Sequence, residues 1–149
     1  MKTKVSEIKI AYRSRVKLSE APKIKSSATA ADVLYSNWDK DEIEVSESFK
    51  LLLLNNNNRV KGIFEVSRAG ITYTLVDLRL IFGVILKSLS TAVILCHNHP
   101  SGTLLPSNPD KDLTRKIKNA AGLFDIKVLD HLILTPGGDY YSFADNGML

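Results

Sequence analysis

The stretch "CHNHPSGTLLPSNPD", Cys96 to Asp110, decides how this chain is read. It places two of the three histidines one residue apart, follows them with Pro-Ser-Gly, and then sets a serine three residues before an aspartate. Just upstream, "TAVILC" is a short apolar run with β-branched members that reads as a buried strand. Side chains two apart on a strand point to one face, so His97 and His99 project together and Asn98 points the other way. Neutral imidazoles and carboxylate oxygens are common zinc ligands, and a catalytic zinc site typically has three protein ligands and one open position. The loop 100–106 has the Gly and Pro needed to fold back, which brings Asp110 to the histidines as the third ligand.

Ser107 reads as the N-cap of the helix that follows. Pro109 lies in its first turn, Asp110 three residues past the cap, and Leu113, Ile117, Ala120, Ala121 and Phe124 on one stripe. Ser107 and Asp110 alone also spell an ordinary capping box, and one histidine at a strand end is more often a hydrogen-bonded core residue. Taken together, the four residues favour the metal reading. Cys96 points away from His97 and reads as a small buried apolar residue.

Working outward, the chain alternates strand-like and helix-like segments. Residues 5–18 read as one or two strands, and "SATAADVLYSNWD" as a helix with Thr29 and Asp32 spaced as a capping box. "SFKLLLL" and "VKGIFEVS" flank "NNNN" as a hairpin, with "GITYTLV" as a third strand. "DLRLIFGVILKSLS" has helical spacing, while "IKVLDHLILT" and "YYSF" read as strands around the turn "PGGD". This order implies an α/β (α+β) domain in which helices flank a mixed sheet.

At 149 residues and 44% hydrophobic, the chain has the size of one ordinary globular domain. A single cysteine permits no internal disulfide, and no signal-like N-terminus or membrane-length apolar run is present, so a cytoplasmic protein with no membrane span is expected. The net charge of +4 is uneven: residues 1–25 hold eight Lys or Arg against two Glu. Such an arm can meet nucleic-acid phosphates, but its interleaved Ile8, Ile10 and Tyr12 favour a strand with one solvated face over a DNA clamp.

His97-Asn98-His99-Pro100, Ser107 and Asp110 resemble the JAMM motif of the JAB/MPN metalloprotease domain: His-x-His-Pro, six residues, Ser, two residues, Asp, with a Glu far upstream. The variant "HNHPSG", with "LDHLIL" and "YYSF" later, looks like the RadC branch over roughly residues 45–149. The implied division is an accessory segment over 1–44 and a RadC-like domain over 45–149 with cytidine-deaminase-like layering. Nothing in residues 1–40 resembles the helix-hairpin-helix segment often found in RadC proteins.

The resemblance implies a hydrolase with one zinc per chain and a protein or peptide substrate, in which metal-activated water attacks a peptide or isopeptide carbonyl. It makes a glutamate the general base and a serine the oxyanion donor. Glu47, two residues before Phe49, matches the family's glutamate, with Glu44 and Glu65 as competitors; Ser107 matches the serine. His131 matches a family pattern too, but inside an apolar strand it reads as a histidine satisfied by Asp130 or by backbone, outside the ligand set.

Two enzyme alternatives fail on spacing. The adjacent letters "HNH" lack the dispersed β-β-helix metal finger of that nuclease family, and a zinc nucleobase deaminase needs a Pro-Cys-x-x-Cys that a one-cysteine chain cannot supply. The remaining alternative is a noncatalytic JAB/MPN-like module that binds a protein or DNA partner.

Overall fold

The computed structural model describes residues 3–68 and 76–149. Its elements are α1 (Ser27–Ser36), β1 (Ser48–Leu54), β2 (Val60–Arg68), α2 (Leu78–Lys87), β3 (Ala92–Asn98), α3 (Asn108–Gly122), β4 (Lys127–Leu134) and β5 (Tyr140–Ser142). The strands form one mixed sheet in the order β2-β1-β3-β4-β5. β3 and β4 are parallel, joined through α3, and the other neighbours are antiparallel. The fold class is the one expected, an α/β domain with a mixed sheet between helices and a JAB/MPN-like layout.

Period-two alternation divides the core between the two faces of the sheet. Leu52, Leu54, Ile94, Cys96, Leu132 and Leu134 pack on one face against α1, Trp38 and Ile43. Phe49, Leu51, Leu53, Val93 and Leu95 pack on the other against Ile81 and Ile85 of α2 and Ile117 and Ala121 of α3. Residues 27–43 therefore share the core of the sheet. A register shift in the β3–β4 pairing follows Val93↔Val128, so the next pairs are Ile94↔Asp130 and Leu95↔His131. That extra residue lets Val128 and His131, an odd number apart, both face the α2–α3 side.

Local signals explain the element ends. Asn58 turns the β1–β2 hairpin with a φ of 53°, a left-handed angle that Asn tolerates. The Asn55 side chain closes the same turn by accepting from the N–H groups of Asn57 and Arg59. Asp77 caps α2 through the Arg79 N–H.

Two readings change. Residues 5–18 form no strand: Val5, Ile8 and Ile10 are 86%, 90% and 69% exposed. Alternation makes a strand only when one face finds cover, and this arm meets the sheet chiefly where the Tyr12 hydroxyl donates to the Lys61 carbonyl. The cap of α1 is Ser26, whose Oγ accepts from the Thr29 N–H, so a simple N-cap one turn earlier replaces the box expected at Thr29. The strand expected over residues 70–76 lies, up to residue 75, outside the described residues. Among those described, no helix is long and apolar enough to cross a membrane.

Candidate metal centre

The two motif histidines stand at the end of β3, where the strand stops and the chain turns. His97 lies on the α3 side of the sheet, stacked at 6.2 Å on Phe49, its register partner in β1. His99 lies just past the strand, its backbone N–H donating to the Leu134 carbonyl. The ring nitrogens His97 Nε2 and His99 Nε2 are 3.0 Å apart. Gly102, at φ 83°, makes the backward turn that few other residues could make, and the chain re-enters at the start of α3.

Ser107 caps α3 in the expected reciprocal box: its Oγ accepts from the Asp110 N–H at 3.1 Å, and Asp110 Oδ2 accepts from the Ser107 N–H at 2.9 Å. The same Oδ2 lies 3.4 Å from His97 Nε2 and 3.7 Å from His99 Nε2. The capping box thus aims the carboxylate at the histidines. Since Ser107 Oγ is an acceptor in the box, its hydroxyl proton is not spent there.

Glu47 approaches from the segment before β1. Its carboxylate and the ligand nitrogens of His97 and His99 all lie within 4.8 Å of one another, a group that could hold a metal ion. Glu47 and Glu44 line an open cavity of about 520 Å³ together with His99, Thr103, Leu105 and Ser107. Glu65 is elsewhere, hydrogen-bonded to Arg68 on β2.

A residue that sequence reasoning passed over holds Glu47 in place. Asn98 points away from the histidines and is fully buried. Its Oδ1 accepts from the Ser48 N–H at 2.8 Å, and its Nδ2 donates to the Ile43 and Ser46 carbonyls, both at 2.9 Å. One amide therefore fastens residues 43–48 to the strand that carries the histidines. Asn98→Leu should cost about 3 kcal/mol or more, because three backbone groups lose their partner and each unsatisfied buried one costs about 1–3 kcal/mol. The midpoint of denaturant unfolding measures it.

The donor set suits a metal ion in its geometry and in its protons. Ligands about 2.0–2.1 Å from a tetrahedral zinc lie about 3.3–3.4 Å from one another. The three separations among His97 Nε2, His99 Nε2 and Asp110 Oδ2 run from 3.0 to 3.7 Å and straddle that edge. His99 Nδ1 is 2.6 Å from the Thr103 carbonyl, which can only accept; the proton of a neutral His99 therefore sits on Nδ1 and leaves Nε2 bare. Electron pairs thus converge where a cation belongs, and the residues fit the group.

Electrostatics agree. Burial alone would raise the Asp110 carboxyl, but the neighbouring imidazoles of His97 and His99, and then the Ser107 N–H, hold it well below the usual carboxylate range. Burial opposes protonation of His99, yet Asp110, the Thr103 carbonyl and the charge of Glu47 together raise its pKa. Burial, then the neighbouring His97, pushes His131 well below the ordinary imidazole value.

His131 and Asp130 are arranged differently from the sequence reading. Asp130 Oδ1 takes the backbone N–H of His131 and of Ala144, and Oδ2 takes the Ser142 hydroxyl. The imidazole of His131 is left to His97 and Thr114. Burial raises the Asp130 carboxyl, and its role is to tie β4 to β5 and the C-terminal turn.

A family model described as the RadC-like JAB domain matches residues 24–148. A UPF0758 protein of Flavobacterium johnsoniae is 51% identical over 102 residues, which cover 68% of this chain and 44% of that protein. A UPF0758 protein of Porphyromonas gingivalis is 43% identical over 103 residues, 69% of this chain and 45% of that one. The chain spans less than half the length of these curated relatives, whose names state no activity. With the match running from before α1 through β5, the chain belongs to the RadC-like JAB domain family.

Proposed function

We propose that this chain is a zinc-dependent hydrolase of the JAMM type that cleaves a peptide or isopeptide bond in a protein or peptide substrate. The observation that carries the reading is the approach of the Glu47 carboxylate to the two histidine nitrogens, beside an open cavity that Ser107 also lines. His97 Nε2, His99 Nε2 and Asp110 Oδ2 are the ligands in this reading. Zinc bound there supplies Lewis acidity and brings the pKa of a bound water from 15.7 to about 7.

The remaining steps belong to the side chains. Glu47 takes the proton of the attacking water and returns it to the departing amine, which requires a carboxylate within hydrogen-bond reach but not itself a ligand. The Ser107 hydroxyl donates to the carbonyl oxygen as negative charge builds on it, using the proton that the capping box leaves over. Thr103 and the exposed Leu105 line the entrance where the substrate chain would lie.

Elemental analysis of the purified chain tests the first half of the reading: about one zinc per chain is expected, and a chain that takes up none after incubation with zinc overturns it. The second half is tested by mass spectrometry of peptide and lysine-isopeptide mixtures treated with zinc-loaded and chelated protein. Cleavage confined to the loaded protein supports hydrolysis; equal products in both arms count against it. Ser107→Ala should keep its zinc, lose about 1 kcal/mol of stability with the cap, and lose up to about 10²–10³-fold in turnover with the oxyanion donor. Thermal melts and initial rates read the two losses separately.

A further inference from the structure

Two buried polar side chains in contact with the site residues, Thr114 on α3 and His131 on β4, take no part in the proposed chemistry. Both touch the site through His97 and Asp110, and their hydrogen bonds can be followed proton by proton. Thr114 Oγ1 is 2.6 Å from the Asp110 carbonyl oxygen. A carbonyl only accepts, so the single hydroxyl proton of Thr114 is spent there. Thr114 Oγ1 is also 2.6 Å from His131 Nδ1. With its proton committed, the hydroxyl can only accept at this second contact, and His131 must carry its proton on Nδ1.

The same logic passes to the next ring. A neutral imidazole protonated on Nδ1 has its lone pair on Nε2. His131 Nε2 lies 2.8 Å from His97 Nδ1, so His97 Nδ1 is the donor of that pair and His97 Nε2 is bare. Bare Nε2 is the atom that faces His99 Nε2 and Asp110 Oδ2. The three side chains are buried, His131 fully so, which denies them water as a substitute partner. His131 is also clamped by Phe143, stacked at 4.6 Å, and by the edge of Phe49 at 5.6 Å.

We propose that Thr114 and His131 are positioning residues that lock His97 in the tautomer with a bare Nε2, and so preset it as a metal ligand. The inference rests on the metal reading of the site. A threonine hydroxyl bonded to the carbonyl four residues back is common in helices. Here it has a second consequence, because it decides which way the proton order of two histidines runs. It also joins the backbone of Asp110 to the ring of His97, so the helix start and the strand end are tied by one directional chain of hydrogen bonds. Outer partners that orient ligand histidines typically change metal affinity by about 10–100-fold when lost.

The test is nuclear magnetic resonance of ring nitrogens, simplified by a chain with three histidines. Two-bond nitrogen–proton correlation spectra of wild-type protein, metal-free and zinc-loaded, should find His131 protonated on Nδ1 and bare on Nε2 in both. A His131 proton on Nε2 overturns the lock, and this reading needs no variant. Thr114→Val removes the acceptor, freeing His131 to move its proton to Nε2 and drive a proton onto His97 Nε2. Zinc affinity by chelator competition should then fall about 10–100-fold, with Thr114→Ser restoring both tautomer and affinity. Unchanged zinc affinity in folded Thr114→Val, or no rescue by serine, also overturns it. If wild type binds no zinc, the metal reading fails separately, while the His131 tautomer is still decided by the spectra.

Discussion

Glu47→Gln keeps its zinc and loses turnover by about 10²–10⁴-fold, the range typical of a removed acid–base group. The substitution is nearly isosteric and leaves a side chain that can still hydrogen-bond, so the segment fastened by Asn98 should not move. What disappears is the ability to take a proton. Zinc content stays near that of wild type because His97 Nε2, His99 Nε2 and Asp110 Oδ2, 3.0–3.7 Å apart, supply three ligands without Glu47. Elemental analysis and single-turnover rates on the same preparation measure the two quantities. Glu44 serves as the control: it lines the same cavity but is exposed, so Glu44→Gln should leave the rate within a small factor. A rate that falls with Glu44 instead would move the base to that residue; full turnover in Glu47→Gln would remove the hydrolytic reading and favour a partner-binding module.

The centre was legible where its geometry is local. Strand parity put His97 and His99 on one side and Asn98 on the other, and the spacing of Ser107 and Asp110 announced a capping box that the structure contains. The same box carries Asp110 Oδ2 toward both histidines, because a helix start directs its N3 side chain back to the cap. Glu47 came from the family resemblance, as the glutamate two residues before Phe49, and Phe49 is the residue paired with His97.

Partners distant in sequence were not legible. Asn98 reaches residues 43–48, and Thr114 meets His131 across 17 residues. No periodicity in either segment encodes those contacts. His131 looked like a core histidine and is one, fully buried, but its ring nitrogens serve the site rather than Asp130. The residues 5–18 went astray for the opposite reason. Alternation there is genuine, yet a strand needs a neighbouring edge and a covering layer, and the arm has little of either beyond the Tyr12 contact. A pattern states what a segment could bury, and only the tertiary arrangement supplies something to bury it against.

Asp110→Asn should fold normally and bind zinc far more weakly, with a loss greater than the roughly 10–100-fold seen when only an outer partner of a ligand is removed. Its amide oxygen can still accept from the Ser107 N–H, so the capping box survives, whereas the charge that sits beside both histidine nitrogens does not. Asp110→Ala loses the box as well, at an added cost of about 1 kcal/mol. Ligand that binds only the native state stabilises it by about 2.7 kcal/mol when present at a hundredfold its dissociation constant. Zinc should therefore raise the melting temperature of wild type and leave that of Asp110→Asn nearly unmoved. The comparison with Glu47→Gln makes the assignment of the third ligand decisive, since both carboxylates approach the same pair of imidazoles. Zinc lost from Asp110→Asn and kept by Glu47→Gln makes Asp110 the ligand and Glu47 the base; the reverse pattern makes Glu47 the ligand and takes from it the role of base.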